Sequence, residues 1–303
     1  MSERISFRDE INKNNAKSFL LMFFIIVILI ALGFVVSMLF DPSYFFFIMV
    51  LSIIISISYT LISYYNADKI ALASVNAKPA SSIHHRQLIS SVENMSLASG
   101  LPMPRVYVMS SPQINAFASG RNPKNAVICV TTGALEKLNK QELEGVIAHE
   151  MSHIANYDIR FMTFTAIAIG MIAIIAEIFL RSLWFSGGNN SNNKDGRVQI
   201  FLIIVGIALS ILAPLLSNLV SLAISRRREY NADATGVKLT RYPPGLAAAL
   251  KKIKNEHISK EDKHRFPKAV APLFIGDPYK RKFTSLFSSH PPIDDRISKL
   301  ERM

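Results

Sequence analysis

The stretch Val146-Ile-Ala-His-Glu-Met-Ser-His-Ile-Ala-Asn-Tyr-Asp158 decides the fold prediction, because it places two histidines four residues apart with a glutamate directly after the first. Side chains at this spacing share one face of an α-helix, so His149 and His153 can both bind one metal ion at about 2.1 Å. Glu150 projects about 100° further round the helix, where it would reach a water at the metal rather than the metal itself. The stretch therefore predicts a zinc site with Glu150 as the general base.

The residues around these histidines predict the helix that the site requires. Asn139 can cap its start, and Glu142 follows three residues later, as in a capping box. An apolar stripe at helical spacing is formed by Leu143, Val146, Ile147 and Ile154. The alternative is a buried helix that carries two histidines by chance. With 7 histidines in 303 residues, the odds of an accidental His-Glu-x-x-His motif are on the order of one in a hundred.

A catalytic zinc site usually has three protein ligands and one open position, so a third ligand must come from elsewhere in the chain. Glu229 and Asp233 are again four residues apart and follow three arginines. On a helix, Glu229 would bind the zinc, while Asp233 would accept the free ring N–H of a ligating histidine. Asp158 is expected in the same supporting role. The alternative is a solvated helix face on which the acids offset the arginines.

Four motifs together resemble those of the HtpX-type membrane zinc metallopeptidases, which are relatives of the CAAX prenyl proteases. They are His149-Glu150-x-x-His153, Glu229-x-x-x-Asp233, Asn115-Ala-Phe-Ala-Ser-Gly120 and Ser289-His290-Pro-Pro-x-x-x-Arg296. The resemblance implies one zinc ion per subunit, a gluzincin-like fold and an active site that faces the cytoplasm. It also implies cleavage of misfolded or damaged membrane proteins in the inner membrane of a bacterium, as part of a stress response.

Two of these motifs supply further expected roles. By similarity to the family, His290 or Arg296 would stabilise the oxyanion of the reaction. Asn115, Ala116 and Phe117 resemble a segment beside the active-site cleft, where an edge strand can bind an extended substrate by backbone pairing. The alternative for His290 is a structural role in a rigid loop with two prolines. The alternative for Asn115 is that of a turn residue.

The composition indicates a membrane protein, since 50% of the residues are hydrophobic and only 18% are charged. Four apolar runs are long enough to cross a hydrocarbon core of about 30 Å. They cover residues 18–40, 45–63, 161–185 and 198–225. A signal peptide is the alternative for the first run and a buried helical hairpin for the last two, but the lengths of the runs argue against both.

Flanking charges predict the orientation of these spans. Residues 1–17 contain four basic residues, whereas residues 41–44 contain no lysine or arginine. The N-terminus is therefore expected in the cytoplasm, with the zinc motif on the same side and an external loop at 186–197. The single cysteine, Cys129, agrees with a reducing compartment.

The predicted fold is mainly α: a multi-pass membrane protein with four transmembrane helices and a cytoplasmic α+β zinc metalloprotease domain. In order, we expect a cytoplasmic N-terminus (1–17), a transmembrane hairpin (18–65), a catalytic part with the zinc motif (66–158), two more spans (159–225) and a second catalytic part (226–303).

Between the hairpin and the zinc motif, the pattern favours a helix at 84–99 that ends at Gly100. Short strands are expected at 105–109 and 126–131, where β-branched residues cluster between turn signals. The polar, proline-containing stretch 260–282 has no clear pattern, so its structure stays open.

The charge distribution bears on the expected partners. Residues 226–303 contain 18 lysines and arginines against 9 acidic residues, which accounts for +9 of the formal net charge of +12. Such a surface near a bilayer favours anionic lipid headgroups, and nucleic acid is discounted because no nucleic-acid motif accompanies the charge. Polypeptide substrates and the lipid bilayer are the expected partners, and the oligomeric state stays open. A scaffold with a structural zinc and a prenyl-peptide-directed protease are the alternative functions.

Overall fold

A computed structural model describes residues 7–37, 41–168, 170–171, 206, 226–257, 266–276, 278 and 291–303. Most of the apolar runs predicted at 161–185 and 198–225 lie outside these residues, and so does the external loop expected at 186–197. His290 also lies outside them.

Two helices near the start of the chain form a hairpin, as predicted. Helix α1 spans Phe7–Ser37, and helix α2 spans Phe45–Tyr65 after a 3-10 turn at Pro42–Tyr44. They approach each other closely at Gly33, where any side chain would collide with Ser52. A small residue at such a crossing lets two apolar helices pack along their backbones.

Within the described part of the chain, one helix is both long and apolar enough to cross a membrane. It is Pro42–Tyr65, and only 11% of its most apolar window is buried. Ser18–Phe34 in α1 is a shorter apolar stretch. The hairpin therefore has an apolar surface that faces outward, while the expectation of four spans stays a prediction.

A four-stranded sheet lies beyond the hairpin, in the order β1-β2-β4-β3. The strands are β1 (Lys78–Pro79), β2 (Arg105–Met109), β3 (Ala116–Gly120) and β4 (Ala126–Thr131). The pair β2/β4 is parallel, whereas β1/β2 and β3/β4 are antiparallel. The two strands expected from sequence are confirmed as β2 and β4, and β3 forms one edge of the sheet.

The described part of the chain beyond the hairpin contains further helices. They are α3 (Ala67–Ser74), α4 (Arg86–Ser99), α5 (Thr132–Lys137), α6 (Lys140–Ala155), α7 (Arg226–Thr240), α8 (Pro243–Asn255) and α9 (Ile293–Leu300), and residues 158–168 are also helical. Helix α4 ends at Gly100, whose left-handed φ of 68° matches the predicted stop. Helix α6 packs between β3 and the helices α4, α7 and α8.

Helix α6 begins with the predicted capping box. The side chain of Asn139 accepts a hydrogen bond from the backbone N–H of Glu142 at 2.9 Å, and the Glu142 carboxylate accepts one from the backbone N–H of Asn139 at 2.8 Å. The predicted apolar stripe is buried throughout, so the histidines of this helix lie inside the protein.

Helix α7 crosses α6 closely at the first histidine. A Cβ atom at Gly236 would lie 3.2 Å from the backbone nitrogen of His149. This close approach brings the first two turns of α7, and with them Glu229 and Asp233, against the histidine face of α6.

The described part of the open stretch 260–282 packs against the edge of the sheet. A 3-10 helix spans Lys268–Leu273, and Phe274 then forms an isolated antiparallel bridge with Phe117 of β3. The two phenylalanine rings are in edge contact, with centroids 5.4 Å apart. Burial of apolar residues, including Phe266, Val270 and Leu273, holds this segment in place.

Candidate active site

The two histidines of α6 point their ring nitrogens at one another, as their spacing predicts. Nε2 of His149 lies 3.2 Å from Nε2 of His153, and both side chains are buried. Both rings therefore present the same nitrogen to one small volume.

Glu229 of α7 completes this group. One of its carboxylate oxygens lies 3.7 Å from Nε2 of His149, and the other lies 3.6 Å from Nε2 of His153. The three side chains are buried and offer ligand atoms that all lie within 4.8 Å of one another.

This group fits a tetrahedral metal ion. Two ligand atoms that are each about 2.1 Å from a zinc ion lie about 3.4 Å apart at the tetrahedral angle. The separations of 3.2, 3.6 and 3.7 Å among His149, His153 and Glu229 are within a few tenths of an ångström of that value. Two imidazole nitrogens and one carboxylate oxygen also form a common donor set for catalytic zinc.

Each histidine has an aspartate at its other ring nitrogen. Nδ1 of His149 lies 3.0 Å from Asp233, and Nδ1 of His153 lies 3.1 Å from Asp158. A carboxylate at Nδ1 favours the tautomer with hydrogen on that nitrogen, which leaves Nε2 as the metal-binding atom. The structure thus brings both sequence-predicted aspartates to the positions that a supporting role requires.

Arg296 of α9 lies behind this group and is 1% exposed. It donates two hydrogen bonds to Asp233, at 2.7 and 2.8 Å, and its Nη1 lies 3.4 Å from Glu229. It also donates to the carbonyl oxygen of Ile275 at 3.3 Å. Burial alone would raise the pKa of Asp233, but the charge of Arg296 and the hydrogen bonds from His149 and Arg296 lower that pKa to about 2.

Glu150 is buried beside the same group and is 1% exposed. Burial raises the pKa of its carboxyl group to about 7, against the opposing charge of His153. The nearby backbone of Ala118 in β3 partly offsets this rise in the pKa. A carboxyl group with a pKa near 7 can both take up and release a proton at neutral pH.

The pKa values of the two histidines are shifted in opposite directions. Burial lowers the pKa of His149. Burial would also lower the pKa of His153, but the hydrogen bond to Asp158 and the charges of Glu229, Asp158 and Glu150 outweigh it and raise that pKa to about 9.

The segment expected to bind substrate is paired within the chain at its outer edge. The backbone N–H of Ile275 donates to the carbonyl oxygen of Ala116 at 3.0 Å. The side chain of Asn115 donates to the carbonyl oxygen of Gly276 at 3.0 Å and accepts from its N–H at 3.3 Å, while Phe117 is buried against Phe274. In this structure, therefore, the chain's own residues 274–276 take the contacts that sequence analysis assigned to a substrate.

Sequence reasoning missed two features of the site. The sequence pattern presents Arg228 only as one of three arginines before Glu229, whereas in the structure its Nε lies 3.4 Å from Asp158. The pairing of residues 274–276 with β3 was also missed, although the apolar run 269–275 within a polar stretch is a signal that could have indicated a buried segment.

Comparison with known proteins places the chain in a family. The profile of Peptidase family M48 matches residues 82–303. A protein named "Protease HtpX homolog" from Caldanaerobacter subterraneus subsp. tengcongensis is 48% identical over 246 residues, or 81% of each chain. Another of that name from Dictyoglomus thermophilum is 39% identical over 298 residues, which cover 98% of this chain and 95% of the relative.

A solved structure is also similar. The crystal structure of S. mikatae Ste24p has a TM-score of 0.47 and 22% sequence identity, and the match covers 95% of this chain and 65% of that one. The family assignment rests on the sequence matches, which include nearly the full length of the HtpX homologs. The chain therefore belongs to peptidase family M48, with the HtpX proteases, and is a metallopeptidase.

Proposed function

We propose that the chain is a zinc-dependent endopeptidase of the bacterial cytoplasmic membrane, and that it hydrolyses peptide bonds of misfolded or damaged membrane proteins and unfolded polypeptides. One observation carries this proposal: His149, His153 and Glu229 converge in one buried group with Glu150 beside them.

We assign His149, His153 and Glu229 as the zinc ligands, with one ion per subunit. The chain contributes two nitrogens and one oxygen, which leaves one coordination position for water or substrate. When bound, zinc would act as a Lewis acid that polarises the scissile carbonyl and lowers the pKa of water at the site.

Glu150 is the proposed general base. It takes the proton from the attacking water and then returns it to the leaving amine, a double role that its pKa of about 7 suits. The carboxylate lies near the backbone of Ala118, in the strand where substrate would lie. Glu150 thus acts on protons, while Glu229 acts on the metal.

Asp233 and Asp158 are proposed to orient the two histidines through Nδ1. Arg296 is held by Asp233 and by the carbonyl oxygen of Ile275, so we assign it first to positioning Asp233 and Glu229. By similarity to the family's motif, oxyanion stabilisation then goes to His290 in preference to Arg296.

The edge strand β3 is the proposed substrate strand. Pairing of a substrate with Asn115, Ala116 and Phe117 requires residues 274–276 to leave that edge, because one carbonyl oxygen on the edge already accepts from Ile275. Backbone pairing of this kind suits a protease for unfolded chains, since it reads extended backbone rather than a particular sequence.

The proposed setting is the bacterial inner membrane, with four spans, both termini and the active site in the cytoplasm, and the domain layout expected from sequence. The outward-facing apolar surface of the hairpin supports contact with lipid. The location of the protein in the membrane would bring the active site close to damaged membrane proteins, which fits a role in stress response.

The test is proteolysis by the detergent-solubilised protein. Purified protein is incubated with zinc and an unfolded polypeptide such as casein, with and without a chelator. We expect cleavage that the chelator abolishes and that added zinc restores, and no cleavage by Glu150→Gln. Cleavage that persists in the chelator or in Glu150→Gln would contradict the proposal, as would inactivity of the zinc-loaded parent.

A further inference from the structure

The two histidines of the candidate metal centre are supported in the same way. Behind His149, the carboxylate of Asp233 is held by the guanidinium of Arg296. Behind His153, the carboxylate of Asp158 meets a second buried guanidinium, that of Arg228. Each of the two histidines thus has an aspartate at Nδ1 and an arginine behind that aspartate.

The contacts of Asp158 divide its two oxygens between two partners. Oδ2 lies 3.1 Å from Nδ1 of His153, and Oδ1 lies 3.4 Å from Nε of Arg228. The carboxylate is 0% exposed, and the arginine side chain is 9% exposed. Because each oxygen has its own partner, the contact with the arginine fixes the rotation of the carboxylate that faces the histidine.

We propose that Arg228 is a positioning residue for the metal centre, acting through Asp158 on His153. The proposal rests on the proposed function, since it assumes that His153 binds a metal ion. It assigns to Arg228 a role other than that of a charge on a solvated helix face.

Arg228 also connects two parts of the site. It directly precedes Glu229, so the helix that carries the third candidate ligand carries the arginine as well. Its guanidinium lies 5.3 Å from the ring centre of Phe161, in the helical residues 158–168 that begin with Asp158. One side chain therefore ties α7 to the residues that follow α6.

The backbone before Asp158 supports a role at the site. Tyr157 has a left-handed φ of 58°, which a tyrosine adopts only at a cost. This residue turns the chain directly after α6, and the turn brings Asp158 back to His153, five residues earlier. Strained backbone of this kind persists where surrounding contacts hold it, and Arg228 supplies one of those contacts.

Removing the guanidinium would leave the buried carboxylate of Asp158 without this charge partner. Loss of one member of a buried ion pair is costly, because the remaining charge stays out of water. The carboxylate would then hold the ring of His153 less firmly, and loss of such outer partners typically weakens metal binding by about 10-fold to 100-fold.

The experiment is a double-mutant cycle on zinc affinity. The dissociation constant is measured by competition with a chromophoric chelator for the parent, Arg228→Gln, Asp158→Asn and the double variant. We expect each single variant to bind zinc about 10-fold or more weakly. We expect the double variant to bind no more weakly than Asp158→Asn, because the arginine acts through the aspartate.

Two further variants separate positioning from general effects. Arg228→Lys keeps the charge and should recover part of the affinity, while Arg227→Gln makes the same change in charge one residue earlier and should bind zinc like the parent. Substitution of Zn²⁺ by Co²⁺ gives a second readout, since a displaced histidine changes the visible absorption spectrum of the bound ion. If Arg228→Gln is poorly folded, the same double-mutant cycle is measured with Arg228→Lys in its place, alone and combined with Asp158→Asn.

The outcomes are distinct. Parent-like zinc affinity in Arg228→Gln overturns the proposal and leaves the arginine with a structural role in the buried ion pair alone. An effect of Arg228→Gln on zinc affinity that is undiminished in the Asp158→Asn background overturns it as well. If Arg227→Gln weakens zinc binding as much as Arg228→Gln does, the proposal is also overturned, because a general effect of charge then explains both changes. A parent that binds no zinc overturns the proposed function itself, and this inference with it.

Discussion

Ile275 donates its backbone N–H to the carbonyl oxygen of Ala116 at 3.0 Å and so extends the edge of the sheet by one short strand pairing. The side chain of Asn115 reinforces this pairing, because it bonds to both the N–H and the carbonyl oxygen of Gly276. Ile275 and Gly276 are thus attached to β3, the strand next to Glu150.

The first prediction concerns Asn115. Asn115→Ala removes both bonds to Gly276 and leaves buried backbone groups without that partner, which should lower the free energy of unfolding by about 1–3 kcal/mol. The measurement is the midpoint of thermal unfolding by circular dichroism. Glu93→Ala, on the exposed face of α4, is the control and should leave the midpoint unchanged. Equal midpoints for Asn115→Ala and parent would mean that the contact adds nothing to stability.

The second prediction separates the two glutamates. Glu150→Gln keeps the size of the side chain but removes the base, so zinc should stay bound while turnover falls by about 10²-fold to 10⁴-fold. Glu229→Gln exchanges an anionic ligand for a weak neutral one, so zinc occupancy and turnover should fall together. Bound zinc and proteolysis are measured on the same purified samples. Loss of zinc from Glu150→Gln, or full occupancy in Glu229→Gln, would show that the assigned ligand set is wrong.

The third prediction is that zinc affinity rises with pH up to about 9. The pKa of His153 is raised to about 9 in the metal-free protein, so below that pH the ring carries a proton that must leave before the metal binds. Between pH 6 and pH 8, the zinc dissociation constant should fall by about tenfold per pH unit. Calorimetry in buffers of different ionisation enthalpy should show about one proton released per zinc from this ring. A dissociation constant that does not change with pH would contradict the assignment of His153 as a ligand.

The fourth prediction is the topology. Asn193→Cys, in the expected external loop, should react in intact cells with a thiol reagent that cannot cross the membrane, whereas Lys238→Cys should react only after the membrane is permeabilised. The single native cysteine should not react with the reagent, because Cys129 is 0% exposed and burial raises the pKa of its thiol well above the usual range. The opposite labelling pattern would reverse the proposed orientation.

Local features of the chain were predictable because they depend on neighbouring residues. The capping box at Asn139 and the spacing of His149 and His153 follow from the geometry of one helix, and the structure has both. The strands β2 and β4 and the stop at Gly100 also follow from short patterns, since turn signals and β-branched residues act over a few positions.

The contacts of Arg228 and Ile275 were not predictable from such patterns. Arg228 meets a residue 70 positions earlier, and Ile275 pairs with a strand that lies 159 positions earlier. An arginine in a run of three looks the same in sequence whether it faces lipid headgroups or a buried aspartate.

The sequence by itself determined the chemistry of the centre, because the identities and spacing of His149, Glu150 and His153 within one helix define what they can bind. Only the tertiary structure decided which distant side chains complete it. The close crossing at Gly236 brings Glu229 to the histidines, and each aspartate behind a histidine is paired with an arginine from a distant part of the chain. Such pairings arise when separate helices pack, so no single stretch of the chain contains them.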